Sequence, residues 1–130
     1  SSAPSQKSAD VTLITYGGMT AMAEEAMLRL LPDDEIDFDY FVLTELAPRN
    51  IGAIADSVRR TGRVVFVEES PVQGGIGAEW LARLAEEIST PFQARRAGAL
   101  PLPVPGARNI ERQVLPDENR ILAAILEILD

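Results

Sequence analysis

The stretch R-V-V-F-V-E-E-S-P-V-Q-G-G-I-G-A-E-W, Arg63 to Trp80, decides how the rest of the chain is read. It begins as an unbroken apolar run, the pattern of a parallel strand covered on both faces. It ends by opening a helical pattern from Ile76 to Ile88, with Trp80, Leu84 and Ile88 on one stripe and Leu81 and Ala85 beside it. Between the two lie Gly74, Gly75 and Gly77, three glycines in four positions. Strand, glycine turn, helix is the unit this stretch predicts.

The same unit recurs upstream. V-T-L-I-T-Y from Val11 is a β-branched strand pattern, followed by Gly17-Gly18 and a helix over Met19 to Leu31 with Met22, Ala26 and Leu30 at helical spacing. Pro32 and the acidic Asp33-Asp34-Glu35 predict its end. Ile36 to Thr44 then alternates apolar and polar residues before turning wholly apolar, a second strand. Ile51, Ile54, Ala55 and Val58 follow at i, i+3, i+4 and i+7, and Arg59-Arg60-Thr61-Gly62 supplies basic side chains and a glycine at the helix end.

Downstream, Phe92 to Ala97 is a weaker strand, and L-P-L-P-V-P-G from Leu100 to Gly106 predicts an extended surface segment, because prolines lack the amide donor. Leu115-Pro116-Asp117 reads as a helix entry with Asp117 as N-cap, and Ile121, Leu122, Ile125, Leu126 and Leu129 form the apolar face that follows. Strand and helix therefore alternate three times before a last strand and a closing helix. That order predicts a mostly parallel sheet between helices, with right-handed crossovers.

At 130 residues there is room for one core, over residues 11–130, with 1–10 as a small, polar, flexible tail or linker. Twelve basic against twenty acidic residues give a net charge of −8, which opposes binding to nucleic acid or anionic lipid and suits a basic protein partner. The chain has no cysteine or histidine, so thiol, imidazole and disulfide chemistry are excluded. No run of about 20 apolar residues is available to span a membrane, and the start lacks a signal pattern. A cytoplasmic protein is expected.

The candidate site residues cluster in the glycine turns. Gly74, Gly75 and Gly77 open a helix whose backbone amides could hold an anion, but the dinucleotide spacing and the phosphate-loop lysine are both missing, and Glu68 and Glu69 precede them. The alternative is a structural turn in which glycine supplies positive φ and close packing. Adjacent on a strand end, Glu68 and Glu69 point to opposite faces and cannot act together as an acid/base pair. One of them, buried, would bond the turn's amides or an arginine. Glu79 lies in the following helix. Gly17, Gly18 and Thr20 occupy the matching turn after the first strand, where Thr20 is expected to cap the helix. The acidic run Asp33 to Asp39 lacks the glycine and final glutamate of a calcium loop and reads as a solvated rim. Nothing in the spacing gathers Arg95, Arg96, Arg108 and Arg112 into one site.

Three segments taken together carry a family resemblance: D-V-T-L-I-T-Y-G-G-M, then L-A-P-R-N-I-G-A-I-A-D-S-V-R-R-T-G-R-V-V-F-V-E-E, then G-G-I-G-A-E-W. In this order they resemble the carboxyl-terminal domain of the transketolase family, above all that of the β subunit of thiamine-diphosphate-dependent 2-oxo acid dehydrogenases of pyruvate or branched-chain type. The resemblance runs from Asp10 to Asp130 and includes L-P-D-E-N-R-I. It implies a three-layer α/β sandwich: a five-stranded, mostly parallel sheet with one antiparallel edge strand and helices on both faces. It also implies that thiamine diphosphate, magnesium and the catalytic glutamate belong to other domains, leaving no catalytic, cofactor or metal residue in this chain.

The partners implied are the preceding pyrimidine-type domain, the α subunit, a second β chain and the basic subunit-binding domain of the acyltransferase core. Where the family commonly has Asp-Leu-Arg before the x-Leu-x-Pro that leads into the second helix, this chain has Val42-Leu43-Thr44. Two other readings stand beside this one. The first is an autonomous small-ligand or anion-binding module using the loops after Tyr16 and Glu69. The second is a complete small enzyme, whose acids would lack identifiable partner groups.

Overall fold

The computed structural model describes residues 9–45, 51–68, 75–98 and 117–130. Strands β1 (Val11–Thr15), β2 (Phe38–Val42), β3 (Arg63–Val67) and β4 (Gln93–Ala97) alternate with helices α1 (Thr20–Asp34), α2 (Gly52–Thr61), α3 (Ile76–Glu87) and α4 (Asp117–Leu129). All pairings are parallel, in the order β2-β1-β3-β4.

Among the described residues the sheet thus has four strands and no antiparallel edge, a correction to the five-stranded sheet that the resemblance implies. The reason is connectivity: each successive pair of strands is joined through a helix that returns the chain to the same end of the sheet. A strand of opposite sense after β4 would have to come from residues 99–116, which lie outside the described residues, as does the expected extended segment Leu100 to Gly106.

Side chains alternate across the sheet and build two cores. On one face Val11, Leu13, Val65 and Val67 meet Ala23, Ala26, Met27 and Leu30 of α1 and Ile121, Ile125 and Ile128 of α4. On the other, Ile14, Val64 and Phe66 meet Ile54, Ala55 and Val58 of α2 and Trp80 and Leu84 of α3. Strand β3 is covered on both sides, as its unbroken apolar run predicts.

Several helical details differ from the sequence pattern. Helix α1 continues past Pro32 to Asp34, because a proline in the last turn forfeits only one amide donor; it stops at Glu35, whose φ of 50° is left-handed. Its buried stripe runs through Ala23, Ala26, Met27 and Leu30, leaving Met22 exposed. In α4, Leu126 is likewise exposed, and Ala124 and Ile128 complete the stripe instead. Helix α2 ends where expected: Gly62 has φ 71° and its N–H bonds to the Val58 carbonyl.

A buried hydroxyl network fastens α2 to the sheet. Thr12 Oγ1 lies 2.7 Å from Ser57 Oγ and 2.9 Å from Thr61 Oγ1. Ser57 in turn donates to Asp39 on β2 at 2.7 Å. Among the described residues, no helix is long and apolar enough to cross a membrane.

Candidate functional site

Parallel strands bring their carboxyl ends to one edge, and there the sequence-predicted residues meet. Thr15 on β1 is in register with Val67 on β3, so Tyr16 and Glu68, each one residue further on, lie at the same level. The edge is floored by aromatic rings: Phe66 sits with its centroid 6.3 Å from that of Tyr16 and 6.5 Å from that of Trp80.

Glu68 is the centre of this edge. Its main-chain N–H extends the ladder to the Ala97 carbonyl at 2.8 Å, and its side chain is completely buried. Oε1 accepts from the backbone N–H of Gly77 at 2.9 Å, and Oε2 accepts from Nε of Arg96 at 2.9 Å. The carboxylate therefore lies against the first turn of α3, where orphan amides and the helix dipole favour negative charge. Of the two partners open to a buried glutamate, an amide of the glycine turn and an arginine, both are present. A residue on β3 thereby joins the start of α3 to the adjacent strand β4.

This geometry also assigns the glycines. Gly77 is buried, and a Cβ built on it would lie 2.7 Å from Oε2 of Glu68 and 2.9 Å from Cδ1 of Phe66. Here glycine is demanded by close approach. Gly75, the residue before α3, has φ −80° and ψ 173°, so the positive φ expected in this turn is not required there. Positive φ occurs instead at Gly17, at 60°, in the turn of 3-10 helix over Gly17–Met19. Gly17 and Gly18 are both exposed. Thr20 does not cap α1 by accepting an amide; its hydroxyl donates back to the Gly17 carbonyl at 2.9 Å. Glu79 is exposed in the first turn of α3, where its charge suits the dipole. Glu69 and Gly74 lie outside the described residues, as do Arg108 and Arg112.

Chemically, this cluster is a brace. Both carboxylate oxygens of Glu68 are engaged, and its burial keeps solvent and substrate away from it. An external anion at the Gly77 amide would have to displace it. Arg95, one residue before Arg96, points to the other face of β4 and pairs with Glu127 of α4 at 3.5 Å, so the two arginines are not gathered into one site. Among the described residues no group of three or more acidic side chains is placed to hold a metal. Val42, Leu43 and Thr44, at the end of β2, line a recess of about 190 Å³ with Ile54 and Trp80.

Sequence reasoning missed the Thr12–Ser57–Asp39 network. The signal was present: Ser57 and Thr61 are one turn apart, and Ser57 stands three residues after Ile54, on the edge of the buried stripe.

Comparison with known proteins fits this architecture. The family model described as "Transketolase, C-terminal domain" matches residues 3–121. The chain belongs to the transketolase C-terminal domain family. Among curated relatives, the pyruvate dehydrogenase E1 component subunit beta of Porphyra purpurea is 32% identical over 127 residues, covering 96% of this chain and 38% of that protein. The 3-methyl-2-oxobutanoate dehydrogenase subunit beta of Mycobacterium tuberculosis is 34% identical over 122 residues, covering 92% of this chain and 35% of that one. A solved split-gene transketolase, described as an inactive beta4 tetramer, superposes with a TM-score of 0.71 at 30% identity, over 94% of this chain and 39% of that one. The chain thus spans a little over a third of the length of each of these three relatives.

Proposed function

We propose that this chain is the carboxyl-terminal assembly and partner-docking domain of a thiamine-diphosphate-dependent 2-oxo acid dehydrogenase β subunit, and that oxidative decarboxylation and acyl transfer to a lipoyl carrier take place elsewhere in the parent enzyme. The observation that carries the reading is the family match over residues 3–121 in a chain that spans only 38% and 35% of two dehydrogenase β subunits. The buried brace supports it: among the described residues, the one fully buried carboxylate at the sheet's carboxyl edge, that of Glu68, is consumed by an amide and an arginine. On this reading Gly17, Gly18, Glu68, Gly75, Gly77 and Glu79, together with Glu69 and Gly74, shape loops that face neighbouring domains and do no chemistry.

The partners proposed are the preceding pyrimidine-type domain, the α subunit, a second β chain and a basic subunit-binding domain of the acyltransferase core, with thiamine diphosphate and magnesium held outside this chain. A cytoplasmic location goes with the same proposal. A net charge of −8 favours encounter with a basic partner and makes it sensitive to salt. Val42-Leu43-Thr44, in place of the charged triplet, makes the contact beyond β2 more apolar, and Val42 is exposed there.

Calorimetry separates these statements. Titrating the chain with thiamine diphosphate and magnesium is expected to give no binding heat, whereas a basic subunit-binding domain is expected to bind saturably and to weaken with salt. Tight stoichiometric cofactor binding would overturn the proposal.

A further inference from the structure

Strand β2 lies at an edge of the sheet and pairs with β1 on one side. Among the described residues, no strand pairs with its other side. The hydrogen bonds at its two ends show how its peptides are turned. Asp10 N–H bonds to the Asp37 carbonyl, and Leu43 N–H bonds to the Thr15 carbonyl. In a parallel ladder, alternate residues direct both of their main-chain groups to the same neighbour. Residues 37, 39, 41 and 43 therefore face β1, while Phe38, Tyr40 and Val42 direct their N–H and C=O groups outward.

Beside this edge runs an open groove of about 750 Å³ between β2 and α1. Its apolar wall includes Met27, Leu28 and Phe38, and its acids are Glu24, Asp37 and Asp39; among the described residues no lysine or arginine lines it. Leu28 is 63% exposed and Val42 45% exposed, unusual for large apolar side chains beside an open strand edge. Two of the acids are held in place. Glu24 accepts from the Tyr40 hydroxyl at 2.9 Å, and Asp39 accepts from Ser57 and lies 3.4 Å from Arg60.

We propose that β2 is a docking edge for an extended segment of a partner protein in which lysine or arginine alternates with apolar residues. The segment adds a strand beside β2, taking main-chain bonds from Phe38, Tyr40 and Val42. Its apolar side chains reach Leu28 and Phe38 on the face toward α1, and its cations, on the opposite face, meet Asp37 and Asp39. A strand has a period of two, so one segment can present both kinds of side chain while its backbone satisfies the edge. Charge complementarity selects this occupant over a second copy of the chain, whose own β2 would bring carboxylates against carboxylates. The inference rests on β2 and α1 and is independent of the parent enzyme's identity.

The test is fluorescence anisotropy of the full chain with a short labelled peptide alternating lysine and valine, against one alternating glutamate and valine. The lysine peptide binds and the glutamate peptide does not. Val42→Pro deletes one outward amide without touching the β1 ladder, and weakens binding by about tenfold. Asp37→Asn weakens it by about threefold and flattens its salt dependence. If Val42→Pro unfolds, the lysine peptide N-methylated along one edge replaces it, and loss of binding on methylation supports the proposal. Equal binding of both peptides, or binding unaffected by Val42→Pro or N-methylation, overturns it. So does self-association that Val42→Pro abolishes in the absence of any peptide binding.

Discussion

Gly77→Ala puts the brace at the sheet's carboxyl edge to a quantitative test. The added methyl group would stand 2.7 Å from Oε2 and 2.8 Å from Cδ of Glu68, and 2.9 Å from Cδ1 of Phe66. Neither neighbour yields easily: Glu68 is held from two sides, and Phe66 is wholly buried between Tyr16 and Trp80. Alanine gains about 1 kcal/mol over glycine in a helix. Against this, overpacking costs about 2 kcal/mol, and a carboxylate pushed out of its hydrogen bonds forfeits about 1.5 kcal/mol more. The balance is a loss of about 2.5 kcal/mol, or a fall in Tm of roughly 10 °C for a domain of this size. Thermal melting followed by circular dichroism reads this directly. Gly52→Ala is the control, because nothing lies within 4 Å of its added Cβ, and its Tm should hold or rise slightly. If Gly77→Ala melts at or above the wild-type temperature, the close approach does not constrain the fold and the argument for the brace fails.

Other consequences can be checked alongside. Glu68→Ala removes a completely buried carboxylate together with its bonds to the Gly77 amide and to Arg96, and should cost about 3–5 kcal/mol by denaturant titration; a loss under about 1 kcal/mol would show the pair to be idle. Ser57→Ala removes a wholly buried donor to Asp39 and should cost about 1–3 kcal/mol, with faster amide exchange in β2 if the network anchors that strand. Tyr40 ionises well above the ordinary tyrosine range, first because it is withdrawn from water and then because its hydroxyl bonds to Glu24. Removing that acceptor's charge in Glu24→Gln should bring the ultraviolet titration partway down, still above the ordinary range. A midpoint unchanged by the substitution would mean that Glu24 has no part in the shift.

The alternation of elements was legible because each run declared its own period. Ile51, Ile54, Ala55 and Val58 are all buried, as their spacing requires, and the polar residues that end α2 lie at its end. The residues' own order contained four strands, and the described sheet has four; the fifth came from the resemblance alone. Legibility failed where a local rule competed with packing. Pro32 broke the pattern of α1 but not the helix, and Met22 and Leu126 fit a helical stripe without facing either core. At the site, the chemistry of a buried glutamate was readable, but its arginine was not. Arg96 is 28 residues from Glu68, and only the register of β4 on β3 brings them together. Gly77 could not be told from Gly74 or Gly75 either, since what singles it out is the Glu68 carboxylate, nine residues earlier, turned back against the start of α3.

The all-parallel sheet also imposes an order in time. Its two inner strands, β1 and β3, are neighbours in space, yet 52 residues separate Thr15 from the Val67 carbonyl that it bonds. Among the described strands no hairpin is available to begin the sheet, and a ribosome adding about 5–20 residues per second leaves β1 without its inner partner for roughly 3–10 s. Throughout that interval Val11, Leu13 and Ile14, all completely buried in the finished domain, are apolar side chains on a nascent strand. During synthesis this first strand is therefore where a chaperone would be needed most.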